Sequence, residues 1–582
     1  MCISVLISSG LAVASENVFE PPDFKAVDSR GVNLISGRST FSQSPVSIGG
    51  SNGLTFTLSA SSNRFDRGGD MTHNFYGRIN TTNTGLEPSP VLHPGHTGAF
   101  VAILGSKSTG FIEYGTTFES YKSEGETFVW NGGSTFTWTW RDGTKVHFET
   151  TSTSGSPGGT PYKIEYPNGL TIDIHRQVVG GLIRSVTSNT GYQLKYSYDG
   201  SHRLTSVVAL NRTVDYCSPA ATTCNYSRTW PQASLAYATV GGALQLTVTD
   251  MAGLNTRYTH ITRTLGAQTD QVVSAVRHPT SSINDTVEYE YENMWVCTSG
   301  YGGLPGSCSF TRLNLVYRVH VGTATWAYSH QPAPPYNYDS RSTDPNGRQL
   351  VVLYNKDIGN LVRIDNTDGS WATFSSDIDN RMTKAVFPEG NEIRYLYDSR
   401  GNITEERRVP KTGSSLPHLV SNAGFDTTCS NRKKCNKPNW VRDARGNQTD
   451  FLYHASSGQI EKATQPADAN GVRPQTRYSY IQRYAYIKTF SGSFVSTGQP
   501  IWLLDEESYC RKSAATATGC TQAGDEVTIS YDYGPSSGAN NLHLRGKVVT
   551  ADGQSLRTCF GYDALGNKIS ETLPKAGLTS CP

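Results

Sequence analysis

The stretch EIRYLYDSRGNITEERRVP, residues 392–410, decides the fold. Tyr395 and Tyr397 are separated by one residue, and alternation of this kind places both aromatic side chains on one face of a β-strand. Asp398 and Gly401 then predict a tight turn, because Asp accepts hydrogen bonds from downstream backbone N–H groups and Gly tolerates positive φ. The stretch therefore predicts a β-hairpin.

The same pattern recurs at a fixed spacing. The segments GNLV at 359–362, NRMT at 380–383 and GNIT at 401–404 each start 21 positions after the one before. Further copies are GYQLKYSYD at 191–199, GNQTDFLY at 446–453, and the looser GDEVTISYD, DTVEYEYEN and CFGYDALGNKISETLP. We expect structural roles in strands and turns for the repeat residues Tyr196, Tyr198, Asp199, Tyr395, Tyr397, Asp398, Gly401, Tyr562, Asp563 and Gly566.

One unit has room for two strands and two turns, since strands of about 5 to 6 residues and hairpin loops of about 2 to 5 are usual. A single hairpin is marginally stable in water, so successive units must pair edge to edge. Runs with helical periodicity are nearly lacking, and Gly, Pro, Ser, Thr and Asn interrupt the sequence throughout. The sequence predicts an all-β fold, an elongated antiparallel β-sheet built from repeated hairpins.

Composition fits a sheet that is covered on one side. The 582 residues include 31 Tyr and 57 Gly, and 36% are hydrophobic. Residues 15–160 lack the Tyr-x-Tyr-Asp repeat but contain sequences typical of β-strands, such as STFTWTWRDGTKVHFET. We therefore expect an N-terminal β-rich domain there. A Ser/Gly/Pro run at 151–161 then leads into the repeat array with its loop insertions, residues 161–582.

Ten of the 11 cysteines are close neighbours in pairs along the chain. Such pairs predict disulfides that close loop excursions from the repeat, and disulfides form in an oxidising compartment. Zinc is the alternative, although these spacings are looser and more varied than those of zinc knuckles. The predicted pairs are Cys217 with Cys224, Cys297 with Cys308, Cys429 with Cys435, Cys510 with Cys520, and Cys559 with Cys581.

The start of the chain reads CISVLISSGLAVAS and offers a small-residue cleavage site at Ala12-Val13-Ala14. No Lys or Arg precedes the apolar run, so we interpret residues 1–14 as a truncated signal peptide, with a buried first strand as the alternative. Together with the cysteines this predicts a secreted or cell-surface protein, or one in the periplasm. No later stretch approaches about 18 continuous apolar residues, so we expect no membrane span.

The segments YLYDSRGNIT, YSYDGSHRLT and FGYDALGNKISETLP resemble the YD repeats of the RHS family, which includes bacterial wall-associated proteins, toxin-complex subunits and teneurins. The opening VDSRGVNLISGRSTFSQSPVSIGG, residues 27–50, resembles the segment that begins the repeat region of secreted bacterial members. The resemblance covers most of the chain. It implies a sheet that coils into a hollow shell, which in many relatives encloses a C-terminal toxin or protects a cargo.

One departure from these relatives concerns the end of the chain. Toxin-bearing relatives close their shell with a dense Asp-Pro-x-Gly region and release a variable tip by self-cleavage, whereas this chain stops at LTSCP. Residues 344–347, DPNG, are similar in letters but lie inside the array, where Pro followed by Gly predicts a turn. We expect a fragment, an open scaffold or a chain that needs a partner. The expected partner is a toxin cargo or a C-terminal continuation of the same chain.

Catalytic chemistry is not predicted. His93 and His96 flank a Pro-Gly bend, and a metal site needs at least a third placed ligand. The repeated Asp residues precede turns, so we interpret them as turn formers rather than as the paired carboxylates of a glycosidase. The sequence contains no phosphate-binding Gly-x-x-x-x-Gly-Lys loop. We expect no enzyme activity, no cofactor and no metal.

Binding to surfaces is harder to restrict. A net charge of +2 gives no general attraction to nucleic acid. The basic stretch NRKKCNKPNW at 431–440 is typical of a solvated loop. Exposed aromatic residues could stack on sugar rings. We therefore expect a secreted or surface scaffold that encloses, protects or presents cargo, as toxin-delivery shells of polymorphic toxins do. A glycan-binding cell-surface adhesin and a carbohydrate-active enzyme on a β-solenoid are the alternatives.

Overall fold

A computed structural model of the chain describes residues 19, 21–22, 27–61, 72–81, 95–121, 124–150, 159–265, 268–277, 286–299, 308–333, 337–355 and 360–581. The regular elements described there are strands, apart from two single-turn 3-10 helices, Gly50–Asn52 and Pro574–Ala576. The predicted all-β class is therefore confirmed. Within these ranges, no helix combines the length and the apolar character that spanning a bilayer requires. The predicted leader and most of the linker at 151–161 lie outside the described residues.

Two four-stranded antiparallel sheets come first in the chain. One contains β1 (Val32–Asn33), β2 (Arg38–Ile48), β3 (Leu54–Ser61) and β4 (Thr72–His73). The other contains β5 (Gly77–Thr81), β6 (Gly98–Leu104), β7 (Lys107–Tyr114) and β8 (Thr117–Ser120). We call the first sheet and its connections, described residues 27–61 and 72–73, the plug.

A single antiparallel sheet of 32 strands makes up most of the rest. Its first strands are β9 (Thr127–Trp130), β10 (Thr135–Thr139), β11 (Lys145–Glu149), β12 (Thr160–Glu165), β13 (Thr171–Arg176), β14 (Ile183–Ser188), β15 (Tyr192–Tyr198), β16 (Leu204–Asn211), β17 (Gln232–Val240), β18 (Ala243–Thr249), β19 (Asn255–Leu265), β20 (Gln268–Arg277), β21 (Thr286–Ser299), β22 (Cys308–Val321), β23 (Ala324–Ala333), β24 (Asn337–Thr343), β25 (Gln349–Asn355) and β26 (Leu361–Asp365).

The sheet continues with β27 (Trp371–Ser376), β28 (Met382–Val386), β29 (Glu392–Tyr397), β30 (Ile403–Val409), β31 (Leu419–Gly424), β32 (Trp440–Arg442), β33 (Gln448–Tyr453), β34 (Ile460–Thr464) and β35 (Gln475–Arg483). A separate hairpin follows, made of β36 (Tyr486–Lys488) and β37 (Phe494–Ser496). The long sheet then resumes with β38 (Ile501–Cys510), β39 (Glu526–Asp532), β40 (Gly546–Ala551), β41 (Gln554–Tyr562) and β42 (Lys568–Thr572).

Neighbouring strands of the long sheet are neighbours in sequence, with the β36–β37 hairpin as the described interruption. Among the described ladders, β9 pairs with β10 alone and β42 with β41 alone. Within the described residues the sheet is therefore open, and β9 and β42 are its two edge strands. The prediction of an elongated antiparallel sheet is confirmed. The sheet takes its first strands from the segment assigned to the N-terminal domain. The division at residues 160 and 161 stays a prediction.

The repeat turns share one hydrogen-bonding pattern. The Asp398 Oδ1 atom accepts the backbone N–H groups of Arg400 and Asn402, each at 2.9 Å, and Gly401 adopts a φ of 77°. Asp563 accepts two backbone N–H groups in the same way, and Gly566 has a φ of 83°. The carboxylate thus holds the turn together while Gly supplies the left-handed backbone.

Asp199 forms the same turn with a different residue at its fourth position. Its Oδ1 atom accepts the N–H groups of Ser201 and Arg203, and His202 takes the left-handed backbone with a φ of 63°. The hydrogen bond from the Arg203 backbone N–H lowers the pKa of the Asp199 carboxyl. Residues 344–347 also form this turn, because Asp344 Oδ1 accepts two backbone N–H groups at 2.9 Å.

Candidate functional site

The long sheet has an inner face that packs against the plug. The first aromatics of two repeats, Tyr196 and Tyr395, point into this core and are only 3% and 4% exposed. Phe56 of the plug is fully buried and meets the Tyr196 ring edge-on, with 5.7 Å between ring centroids. The alternation of the strands thus lines up one row of aromatic side chains along the inside of the sheet.

The second aromatic of the repeat has a different role. Tyr198 donates its hydroxyl proton to the Ile183 carbonyl at 2.9 Å, and Tyr397 donates to the Met382 carbonyl at 2.6 Å. Ile183 and Met382 are the first residues of β14 and β28. Each precedes the stretch of its strand that pairs with β15 or β29. Tyr562 donates to the Leu544 carbonyl at 3.0 Å. These hydroxyls therefore cap the ends of ladders.

Polar contacts fix the plug to the inner face of β19–β23. The Tyr328 hydroxyl donates to Asp28 Oδ2 at 2.6 Å, and the Tyr289 hydroxyl donates to the Arg30 carbonyl at 2.8 Å. The Arg30 guanidinium lies over the Trp326 ring at 4.0 Å. The Ser39 and Tyr291 hydroxyls are 2.7 Å apart, Tyr258 donates to Gln43 at 2.8 Å, and its ring stacks on Phe41.

Sequence reasoning did not place residues 28–30 against the sheet. A signal was present, because the tetrapeptide Asp-Ser-Arg-Gly occurs at 28–31 and again at 398–401. Asp28 Oδ1 accepts the N–H groups of Arg30 and Val32 at 2.9 Å, the same turn as at Asp398. In the plug the second carboxylate oxygen is used by Tyr328, whereas in the repeat it is used by the side chain of Asn402.

A buried and a half-buried histidine, His330 and His543, lie where the plug meets the sheet. His330 is 7% exposed, its Nδ1 atom is 2.7 Å from Ser340 Oγ, and burial lowers its pKa to about 4. Gly37 of the plug approaches its ring so closely that a Cβ at that position would lie 2.8 Å from His330 Nε2. His543 contacts the Tyr192 hydroxyl at 2.6 Å, and burial lowers its pKa to about 4.

The sheet coils so that its early loops touch its late ones. Arg141 donates to the Gly401 carbonyl at 3.2 Å and to Asn402 Oδ1 at 2.8 Å. Asn541 Nδ2 donates to the Thr190 carbonyl at 2.7 Å, and Asn211 Nδ2 donates to the Ala564 carbonyl at 2.9 Å. We call this line of contacts between loops of β10–β16 and loops of β29–β42 the seam. It joins residues more than 250 positions apart without a shared β-ladder.

A cavity of about 400 Å³ opens along the seam. It is lined by Lys107, Trp140, Arg141, Phe425 and Lys437, among others. Lys107 is paired with Glu126 at 2.8 Å and lies over the Trp140 ring at 4.5 Å. A space of this size suits a small molecule, whereas a folded cargo domain is far larger.

The last strands present a more exposed inner face. By the repeat register, Val527, Ile529 and Tyr531 of β39 occupy the inward positions that Ile393, Tyr395 and Tyr397 occupy in β29. Val527 is buried like Ile393, and Tyr531 is half-buried like Tyr397. Ile529, however, is half-buried where Tyr395 is buried, and Val549 on the neighbouring β40 is half-buried too. The plug contacts described above reach β15–β23, and the Gly49 N–H donates to the Leu565 carbonyl in the turn after β41 at 2.8 Å. Ile529 and Val549 therefore lie on an inner face with less cover, beside Glu507 and Lys547.

Four disulfides close loops outside the sheet. They join Cys217 to Cys224, Cys429 to Cys435, Cys510 to Cys520 and Cys559 to Cys581. These are four of the predicted neighbour pairs, and they indicate an oxidising compartment. The side chains of Cys297 and Cys308 lie outside the described part of the chain.

The basic stretch at 431–440 belongs to the seam. Lys434 pairs with Asp426 at 3.1 Å, Lys437 donates to the Gly458 carbonyl at 2.9 Å, and Asn436 donates to the Arg141 carbonyl at 3.0 Å. These side chains are therefore engaged in holding loops together. His93, of the His-Pro-Gly-His segment, lies outside the described residues.

Comparisons with known proteins give matches to solved structures alone, all at low similarity. No protein-family model matches the chain, and no curated protein matches it. The crystal structure of TcdB2-TccC3 without its hypervariable C-terminal region matches at 8% identity and a TM-score of 0.27, covering 89% of this chain. The TcdB2-TccC3-Cdc42 structure matches at 10% identity, with a TM-score of 0.23 and 87% coverage. This chain spans 27% of the length of each of these two chains.

Proposed function

We propose that this chain is a scaffold of the YD-repeat type, a coiled wall that covers a cargo polypeptide with the inner face of its last strands. The observation that carries the proposal is the unequal cover of one continuous inner face. The plug buries Tyr196, Tyr289 and Tyr328, while Ile529 and Val549 stay half-buried. An apolar sheet face gains stability when another segment covers it.

The plug itself is a template for how such a cover would be held. It is an antiparallel sheet whose apolar side chains, such as Phe56, pack against the long sheet. It also accepts hydrogen bonds from the hydroxyl groups of tyrosines on the long sheet. A cargo segment on β38–β40 would meet Ile529 and Val549 with Glu507 and Lys547 beside them. The Tyr531 hydroxyl there donates to Glu507 Oε2 at 3.3 Å. The proposed cargo is therefore an extended or partly unfolded polypeptide.

The family assignment and the location belong to this proposal. The in-phase repeats support a relationship with RHS proteins, and the disulfides support export to the cell surface or beyond. Catalytic turnover is not part of the proposed role. The repeat carboxylates support this view, because both carboxylate oxygens of Asp398 and of Asp563 accept hydrogen bonds within their turns.

A protease-protection experiment tests the proposal. An intrinsically unfolded reporter peptide is fused after Pro582, and its cleavage by a nonspecific protease is followed over time. We expect the fused reporter to be cleaved at least about tenfold more slowly than the same peptide added in trans, since covered segments must open before they are cut.

Two variants on one strand provide the matched control. Ile529→Arg places a charge on the inner face of β39, whereas Ser530→Arg places it on the opposite face. The inner variant should remove the protection and the outer variant should keep it. Cleavage of the fused reporter at the rate of the free peptide, or equal loss of protection in both variants, would contradict the proposed function.

A further inference from the structure

A short hairpin stands apart from the long sheet between β35 and β38. Strands β36 and β37 pair with each other, and all three side chains of β37 are exposed. We call residues 484–500 the finger. Its base is fixed to an early loop, because the Lys488 N–H donates to the Arg212 carbonyl at 2.7 Å and Thr497 Oγ1 donates to the Asn189 carbonyl at 2.9 Å.

The tip of the finger carries exposed apolar side chains. Phe490 is 88% exposed, and Phe494 and Val495 are 39% and 47% exposed. Ser491, Gly492 and Ser493 separate the two phenylalanines. The only described ring contact of Phe490 is with Tyr216, at 6.0 Å and nearly edge-on. Tyr216 is itself 38% exposed, so the two loops share one surface patch.

The two segments that form this patch contain more cations than carboxylates. The finger with Arg483, and the adjoining stretch 211–230 that holds Tyr216, contain the cations Arg212, Arg228, Arg483 and Lys488. Their one carboxylate is Asp215, which is 6% exposed and accepts hydrogen bonds from Ser227 and Trp230. Arg228 is exposed, whereas Arg212, Arg483 and Lys488 are half-buried, and Lys488 Nζ donates to the Val214 carbonyl at 3.2 Å. These two segments therefore carry a net positive charge, although the whole chain carries only +2.

We propose that the finger is a membrane-contact element that inserts Phe490 and Phe494 into the headgroup region of an anionic phospholipid surface. Small molecules bind in concave sites that cover most of their surface, whereas Phe490 and the three side chains of β37 are exposed. Aromatic side chains prefer the boundary between headgroups and acyl chains, and nearby Lys and Arg are attracted to anionic lipid. The inference is independent of the cargo proposal, since the finger lies outside the inner face.

Co-sedimentation of the whole oxidised chain with vesicles tests this inference. The probes are vesicles of phosphatidylcholine with phosphatidylglycerol and vesicles of phosphatidylcholine alone. We expect pelleting with the anionic vesicles, a weaker effect with the neutral ones, and loss of binding when NaCl is raised from about 0.1 M to about 0.5 M.

The double variant Phe490→Ser with Phe494→Ser should weaken binding by about tenfold, because it removes the apolar part of the contact. Ile378→Ser is the matched control, since Ile378 is 85% exposed at the turn between β27 and β28. This control should bind as the unaltered chain does. Lack of pelleting, equal pelleting with both vesicle types, or full binding by the double variant would overturn the inference. A protein partner for the patch would then be the remaining explanation.

Discussion

The early and late parts of the long sheet are built from the same repeat but differ in what covers them. In β15–β23 the inner aromatics pack on the plug, and Tyr291 and Tyr328 are 4% and 5% exposed. In β39, Ile529 occupies the position of Tyr395 and is half-buried, as is Val549 on β40, although Val527 is buried. The repeat therefore fixes strand, turn and facing, while a separate segment decides whether the inner face is buried. Strands that form part of the protein core and strands that present a binding surface can thus share one sequence pattern.

The largest expected effect comes from removing a plug side chain. Phe56→Ala empties a fully buried site against Tyr196 and should lower the free energy of unfolding by about 3 to 5 kcal/mol. Phe560→Ala on β41, where the ring is half-buried, should cost about 1 kcal/mol. Guanidinium unfolding followed by tryptophan fluorescence measures both. Similar losses in the two variants would show that the late face is as well covered as the early one.

Acid should loosen the covered region first. Burial lowers the pKa of His330 to about 4 from 6.5, so the unfolded chain binds this proton more readily than the folded one. The contribution of His330 to stability is therefore fully present above about pH 6.5 and is lost as the pH falls toward 4, by on the order of 3 kcal/mol.

Unfolding curves at several pH values check this dependence. His330→Gln should flatten the loss of stability between about pH 6.5 and pH 4, because Gln does not titrate. His202→Gln, at an exposed turn, is the control and should retain the slope of the unaltered chain. An unchanged slope in the His330 variant would show that the plug contact at Gly37 does not couple to this proton.

The same substitution, Val to Ala, at a buried and at a half-buried position of the long sheet tests how well the inner face is covered at each place. Val352 on β25 is 1% exposed, whereas Val549 on β40 is half-buried. Val352→Ala should cost about 2 kcal/mol, and Val549→Ala less than about 1 kcal/mol. If a cargo segment is bound to β40, the cost of the second substitution should rise, since the side chain then leaves a filled site. Thermal unfolding with and without the fused segment measures the difference.

Much of this fold could be predicted from the sequence, and the reasons are local. The spacing of Tyr395, Tyr397, Asp398 and Gly401 determines strand, facing and turn within ten residues, and neighbouring strands pair in chain order. The neighbouring cysteines close short loops for the same reason. In each case the interacting groups are close in sequence.

The cover of the inner face could not be predicted, because it depends on contacts between distant residues. Asp28 reaches Tyr328 across 300 positions, and no spacing rule links them. The shared tetrapeptide at 28–31 and 398–401 indicates a turn at both places but not that one of them docks on the sheet. The seam and the finger could not be predicted either, because they too depend on contacts between residues that are distant in sequence.

The smallest expected effect concerns the seam that joins the two regions. Arg141 links the β10–β11 loop to the repeat turn at Gly401 and Asn402, so Arg141→Ala removes hydrogen bonds from a charged donor and should cost about 1 to 2 kcal/mol. Arg363→Ala is the control, because the exposed Arg363–Asp365 pair on β26 should contribute at most about 0.5 kcal/mol. Hydrogen exchange of the Gly401 turn measures local opening. Faster exchange there in the Arg141 variant alone would show that early and late loops stabilise each other. Unchanged exchange would mean that the open sheet holds its coil through the plug, and the difference between the two regions would then rest on the plug alone.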